Sequence, residues 1–174
     1  TVAILNAATL VLVVMGWSPD RIWAGGRAER TMSELASRLP CDFLVLNDHG
    51  YDTNRLLLPT VDSPHSELSL EVASALQSTV GSEVTLLHVV DGPDKREQGE
   101  AFLSEWATEH GLPDATRIVD DSGDIERAIA EQADRHSMIL MGATERGLLT
   151  RLLTDSLHLD VVNDTDHAVL LVER

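Results

Sequence analysis

Lysine is almost absent from this chain. Of 174 residues, 13 are basic, and Lys95 is the only lysine among them. Cysteine is represented by Cys41 alone, which excludes a disulfide framework and a thiolate metal cluster and weakly favours a reducing, intracellular setting. Aromatic residues make up 3%, so a core must be aliphatic, and the 43% hydrophobic content is enough for one. There is no Gly-x-Ser-x-Gly elbow to present a nucleophile. The histidines stand singly, His49 and His65 near loops, His88 within a strand-like run, and His136, His158 and His167 at element ends. None forms an i, i+4 pair with a carboxylate beside it, so a metal site is not expected. No long hydrophobic run exists either. "TVAILNAATLVLVVMGW" is broken by Asn6 and Thr9, is too short for a confident membrane span, and has no basic stretch before it that would mark a signal peptide. It opens on Thr1 rather than Met, as expected of a segment from a longer protein.

Acid is what the chain has in excess: 29 Asp and Glu give a formal net charge of −16. Nucleic acid and anionic membrane surfaces would be repelled rather than neutralised. An acid-rich, lysine-poor surface suits concentrated salt, where the Debye length shrinks to about 3 Å at 1 M and clustered carboxylates stop repelling one another. An ordinary acidic protein is the alternative.

From residue 54 onward strand-like and helix-like segments alternate. "RLLLPT" is a short apolar run, followed by "SPHSELSLEVASALQSTVG", a helix with Ser63 as cap, Pro64 in its first turn and Gly81 as its stop. "EVTLLHVV" reads as a strand, "DKREQGEAFLSEWATEHG" as an amphipathic helix, "TRIV" as a strand and "DIERAIAEQADRH" as a helix capped by Asp124. "MILMG", a helix near 156–164 and "HAVLLVE" complete the pattern. Five strands alternating with four helices predict a parallel sheet covered on both faces. Ligands of such sheets sit beyond the carboxyl ends of the strands, where strand order reverses. Here that means Thr60, Val61 and Asp62 after the first strand and Gly142 after the fourth.

The first fifty residues repeat part of this scheme. A constant offset of 126 residues places Gly16 on Gly142, "LVVMGW" on "ILMGAT" and "CDFLVL" on "HAVLLV". Residues 1–50 are therefore expected to be the last third of a preceding copy (a helix tail, strand, helix and strand), and residues 51–174 a complete domain. The strands of the partial copy should pack beside the fifth strand of the complete one. That leaves the edge of the missing strand open and the chain prone to self-association.

The order of elements, with "LVVMG", "LLHVV" and "GATERGLLTRLLTDS", resembles the universal stress protein family, over residues 54–174 as a whole domain and 1–47 as the tail of another. Haloarchaeal members, often tandem copies behind an amino-acid permease, look most similar. The resemblance implies a Rossmann-like or flavodoxin-like α/β fold, a five-stranded parallel sheet of order 3-2-1-4-5, and a homodimer through the last strand. It also implies a cytoplasmic location, tethered to the membrane where a transporter part precedes the domain.

Nucleotide-binding members resemble G-x-x-G, nine residues, then G-[ST]. On this chain Gly142 matches the first glycine and Ser156 the hydroxyl, while Glu145 and Asp155 stand at the other two glycines. A carboxylate there adds a side chain where glycine lets the backbone approach phosphate, and sets a like charge against a triphosphate. Arg146 and Arg151 offset some of that charge or belong to the salted surface. The family's acidic position after the first strand falls on Val61, with Asp62 one step on. In the partial copy "GWSPDRIWAGGRAER" keeps Gly16 and has Pro19, Glu29 and Arg30 at the later positions.

Two readings remain at this level. One is a non-catalytic regulatory or interaction domain without a resident cofactor, acting through dimerisation and contact with a transporter or another protein. The other is an adenine-nucleotide sensor, holding ATP with Thr60, Asp62 and Val89 around the base side and Gly142, Thr144, Gly147 and Ser156 around the phosphates. The "DDSGD" run at 120–124 lacks calcium-loop spacing and reads as strand exit plus helix cap. Cys41 reads as a small core residue, and Trp17 and Trp23 as packing against the second domain. Moving from about 0.1 M to about 1 M KCl, where screening tightens from about 10 to 3 Å, should raise the thermal unfolding midpoint. A midpoint that falls or stays flat in a calorimetric salt series would count against a salt-adapted surface.

Overall fold

The computed structural model describes residues 3–7, 10–17, 43–47, 50–61, 64–142 and 168–173. Three strands come first: β1 (Ala3–Ala7), β2 (Leu10–Trp17) and β3 (Phe43–Asn47). The alternating region follows as β4 (Arg55–Pro59), α1 (Pro64–Val80), β5 (Glu83–Val89), a short 3-10 turn (Pro93–Lys95) and α2 (Arg96–Glu109). It continues as β6 (Thr116–Asp120), α3 (Ile125–Ala133), β7 (Met138–Gly142) and β8 (Ala168–Glu173). All eight strands form one sheet of order β1-β2-β3-β8-β7-β4-β5-β6. Within it β4 to β8 are parallel and, counted among themselves, take the expected order 3-2-1-4-5.

The centre of the sheet explains its two-sided cover. Leu56, Leu57 and Leu58 of β4 are at most 1% exposed, although successive side chains of a strand point to opposite faces. Both faces must therefore be packed, as in parallel sheets generally. On one face Leu56 and Leu58 share a cluster with Val84, Leu86, Met138, Leu140, Ala168, Leu170 and Val172. Here α1 lies over β7 and β8 while α2 lies over β5 and β6. On the other face α3 rests against β4 and β5, with Ala128, Ile129 and Ala133 buried beneath it.

Local signals set the helix ends. Gly81, at φ +79°, donates its N–H to the Gln77 carbonyl and closes α1, a left-handed geometry that costs glycine nothing. Asp124 caps α3, its carboxylate accepting from the Arg127 N–H at 3.1 Å. The cap expected of Ser63 lies outside the described residues, as does the helix expected near 156–164.

The first fifty residues depart from expectation in one respect and meet it in another. The helix tail expected at the start is a strand: β1 pairs antiparallel with β2, Ala3 opposite Val14 through Ala7 opposite Leu10. Only Ala8 and Thr9 separate the two strands, which is hairpin rather than helix spacing. The edge beside β2, expected to be open, is thereby covered. As expected, β3 packs beside the fifth strand of the five-stranded parallel unit, antiparallel to β8. This changes the association expected through the last strand, because β8 is paired with β7 on one side and β3 on the other. Its edge is filled within the chain.

Leu57 is wholly buried, on the face of β4 opposite Leu56 and Leu58. Leu57→Ala should lower stability by about 2–5 kcal/mol, read from urea midpoints at constant slope. A loss below about 1 kcal/mol, where partial collapse of the site sets the lower bound, would mean that this face is loosely packed.

Candidate functional site

Strand order reverses between β4 and β7, since β5 and β6 build outward on one side of β4 and β7 returns to the other. The carboxyl ends of β4 and β7 thus flank the crevice where a ligand of such a sheet is held. Three of the seven residues expected to bind nucleotide are described there: Thr60, Val89 and Gly142. Asp62, Thr144, Gly147 and Ser156 lie outside the described residues, as do Glu145, Arg146, Arg151 and Asp155.

Thr60 follows β4 directly and is 3% exposed. Its N–H donates to the Leu87 carbonyl at 2.7 Å and its hydroxyl to the Leu58 carbonyl at 3.0 Å. Its own carbonyl lies 2.9 Å from Nδ1 of His88, an arrangement in which the ring donates. Every polar group of Thr60 thus has a partner inside the protein. The next residue, Val61, stands exposed, its N–H held at 3.4 Å by the Ser66 hydroxyl of α1. Gly142 ends β7 opposite Val172 and is half-buried.

The exits of β5 and β6 are laced together. Val89 is half-buried and pairs with Asp120, and Val90 donates to the Asp120 carbonyl at 2.8 Å. The Val90 carbonyl accepts from Gly92 and from Gly123, whose φ of +74° turns the chain into α3. In "DDSGD" the Asp120 carboxylate accepts from both the N–H and the hydroxyl of Ser122, and that hydroxyl in turn accepts from the Asp124 N–H. The run is a strand exit and a helix cap. The Ser122 hydroxyl, followed by its N–H and the nearby Arg127 and Arg96 guanidinium groups, holds the Asp120 carboxyl below its ordinary range. Arg96 also joins Asp121 at 3.1 Å, an exposed pair that ties the start of α2 to the β6 exit for at most about 1 kcal/mol, and Glu100 at 3.4 Å within α2 itself.

His88 is the residue that reading the sequence left as a scattered histidine. It joins β5 to the segment after β4 and begins a run of rings along α2: Phe102 at 4.6 Å, then Trp106 at 5.3 Å, then His110 at 4.5 Å. A signal for it was present in Gly99, a glycine inside a helix that costs about 1 kcal/mol against alanine and implies a close approach. A Cβ there would lie 3.0 Å from Val119 and Val90 and 3.2 Å from the His88 ring. His110 and His136 likewise place Nδ1 against backbone carbonyls, those of Trp106 and Gln132. Among the described residues no group of three or more His, Cys, Asp or Glu is arranged to hold a metal. No described helix is long and apolar enough to cross a membrane.

A doubly wound α/β domain whose strand order reverses between β4 and β7 is the class of protein these elements define. The profile of the Universal stress protein family matches residues 52–173, and the chain belongs to that family. No curated protein sequence matches it significantly. A universal stress protein from Archaeoglobus fulgidus superposes with a TM-score of 0.60 at 16% identity, over 92% of this chain and 60% of that one. The cytoplasmic domain of a prokaryotic cation chloride cotransporter superposes with a TM-score of 0.62 at 14% identity, over 94% and 64%. A universal stress protein family member from Burkholderia pseudomallei gives 0.50 at 20% identity, over 70% and 97%. The chain thus spans about three fifths of the Archaeoglobus protein it resembles.

Asp120 gives the site a pH signature. Its folded pKa lies below the ordinary 3.8, so its contribution to stability is present above that value and is lost as pH falls through the lower folded one. Asp120→Asn should therefore be less stable than the parent at neutral pH, with the gap narrowing only below pH 3.8. Denaturant midpoints measured against pH check this, and a gap independent of pH would refute it.

Proposed function

We propose that this chain is a non-catalytic regulatory domain that acts by contact with another protein, a membrane transporter linked to it or separate from it. The observation that carries this reading is the closure of Thr60. At the switch point, where a ligand would look for donors, its N–H and its hydroxyl hydrogen are given to Leu87 and Leu58, and its carbonyl already accepts from His88. Exposed Val61 offers an alkyl group where an acid would hydrogen-bond a ligand. Glu145 and Asp155 set two carboxylates in the loop that would meet phosphate. The likeness to a cotransporter's cytoplasmic domain, over 94% of this chain, supports a transporter as the kind of partner. The acidic surface fits a cytoplasmic partner with a basic face, and association would weaken as salt rises.

Gly142 supports a second reading, an ATP sensor. It stands at the carboxyl end of β7, beside the reversal of strand order, and "GATERGLLTRLLTDSL" follows it. Calorimetric titration of magnesium ATP into the chain in multimolar KCl separates the two. The contact reading expects no heat and no nucleotide carried through purification. Saturable binding that disappears with Ser156→Ala would replace it with the sensor reading.

A further inference from the structure

Among the described residues the large apolar side chains that stand exposed are Tyr51, Val61, Val80 and Ile125. They fall into two pairs at opposite ends of the sheet. Val61 follows β4 and Ile125 opens α3 after β6, so both lie at the carboxyl end of the strands. Tyr51 precedes β4 and Val80 closes α1, which places that pair at the amino end. Single exposed apolar residues need no explanation, but ones gathered within a polar rim mark a contact surface.

The backbone gathers Val61 and Ile125 around the exit of β5. Thr60, just before Val61, donates its N–H to the Leu87 carbonyl at 2.7 Å, and Gly123, two residues before Ile125, donates to the Val90 carbonyl at 3.0 Å. The two also share a side of the sheet. Residues of a strand alternate between faces, the β4–β5 ladder runs on to Thr60, and counting in twos from Leu57 reaches Val61. That is the face on which α3, with Ile125 at its start, rests against β4 and β5. Charge then separates the two ends. Asp91 and Asp124 stand exposed and Asp121 half-buried beside the carboxyl-end pair. The cations there are already engaged, Lys95 with Asp91, Arg96 with Asp121 and Glu100, and Arg127 with Glu131. Tyr51 and Val80 are the more exposed pair, but exposed Arg55 and Arg135 lie at their end and form no ion pair among the described residues. A basic partner would be repelled there and attracted at the carboxyl end.

We propose that the carboxyl end of the sheet around Val61 and Ile125 docks a basic segment of a protein partner. An aliphatic side chain of that segment is buried against Val61 and Ile125, while its arginines or lysines face Asp91, Asp121 and Asp124. The pairs these carboxylates make with Lys95 and Arg96 are exposed, so a partner's cation shares or replaces them at little cost. The two parts of the contact differ in their response to salt. Attraction between exposed charges is screened as salt rises, whereas burial of alkyl surface is not. This inference rests on the contact reading and gives it a surface and a partner chemistry.

A short fluorescent peptide of alternating arginine and leucine is the probe, titrated by anisotropy into the full chain over a KCl series in which a cooperative melt reports it folded. Binding should be saturable and should weaken as salt rises. Val61→Ser with Ile125→Ser should weaken it by about tenfold or more at every salt, since two buried alkyl groups are lost. Tyr51→Ser with Val80→Ser should leave it unchanged. A second peptide with serine in place of leucine should bind the parent as weakly as the leucine peptide binds the Val61→Ser, Ile125→Ser chain. Absence of saturable binding, an equal loss in both double variants, or a loss confined to the Tyr51 and Val80 variant would overturn the proposal. Should the Val61→Ser, Ile125→Ser chain unfold, Val61→Ala with Ile125→Ala replaces it, with the same outcomes. A peptide held at the amino end would overturn this surface and leave the contact reading standing, while the magnesium ATP titration decides that reading separately.

Discussion

Burial of β4 on both faces is the constraint on which the rest depends. A strand whose three consecutive leucines are almost completely hidden cannot sit at an edge or beneath a single layer. It requires neighbours on both sides and helices above and below, and β5, β7, α1, α2 and α3 meet those demands. Because the strands around it are parallel, each connection must cross from one end of the sheet to the other. The crossings diverge on either side of β4, and that divergence is the switch point at which sheets of this kind hold ligands.

The same packing governs what that crevice can do. α2 approaches β5 and β6 closely because Gly99 has no side chain to hold it off. His88 then fits beneath the helix, against Phe102, and reaches the Thr60 carbonyl. Thr60 is drawn into the core by this contact and by two others, so a residue placed to greet a ligand serves as a joint between strands. At the far side of β8 the edge is likewise committed, to β3 of the same chain. Binding groups and sheet edges are two of the resources such a domain can offer a partner, and at Thr60 and at β8 tertiary contacts have taken them.

Much was legible beforehand. The elements from β4 to β8, the stop at Gly81, the cap at Asp124 and the turn in "DDSGD" follow from short-range chemistry: apolar period, β-branched runs, left-handed glycine and capping carboxylates. The strand order was implied by the family resemblance alone. The constant-offset match of apolar pattern is likewise a one-dimensional property, open to reading before any fold. The start of the chain was not legible in this way, because "AILNAATLVLVV" has no period that separates helix from strand. What decided it was the two-residue connection and the presence of β2 to pair with.

What the sequence determined by itself is thus the set of elements and the class of fold, because each is encoded within a few residues of itself. What only the tertiary structure decided is which groups remain available. The fate of the Thr60 carbonyl is set by His88, 28 residues away, and the fate of the β8 edge by a strand more than a hundred residues earlier. Hydrogen bonds are saturable and directional, so a donor or an edge can be offered once only. Whether it has already been taken is a question of what lies beside it in space.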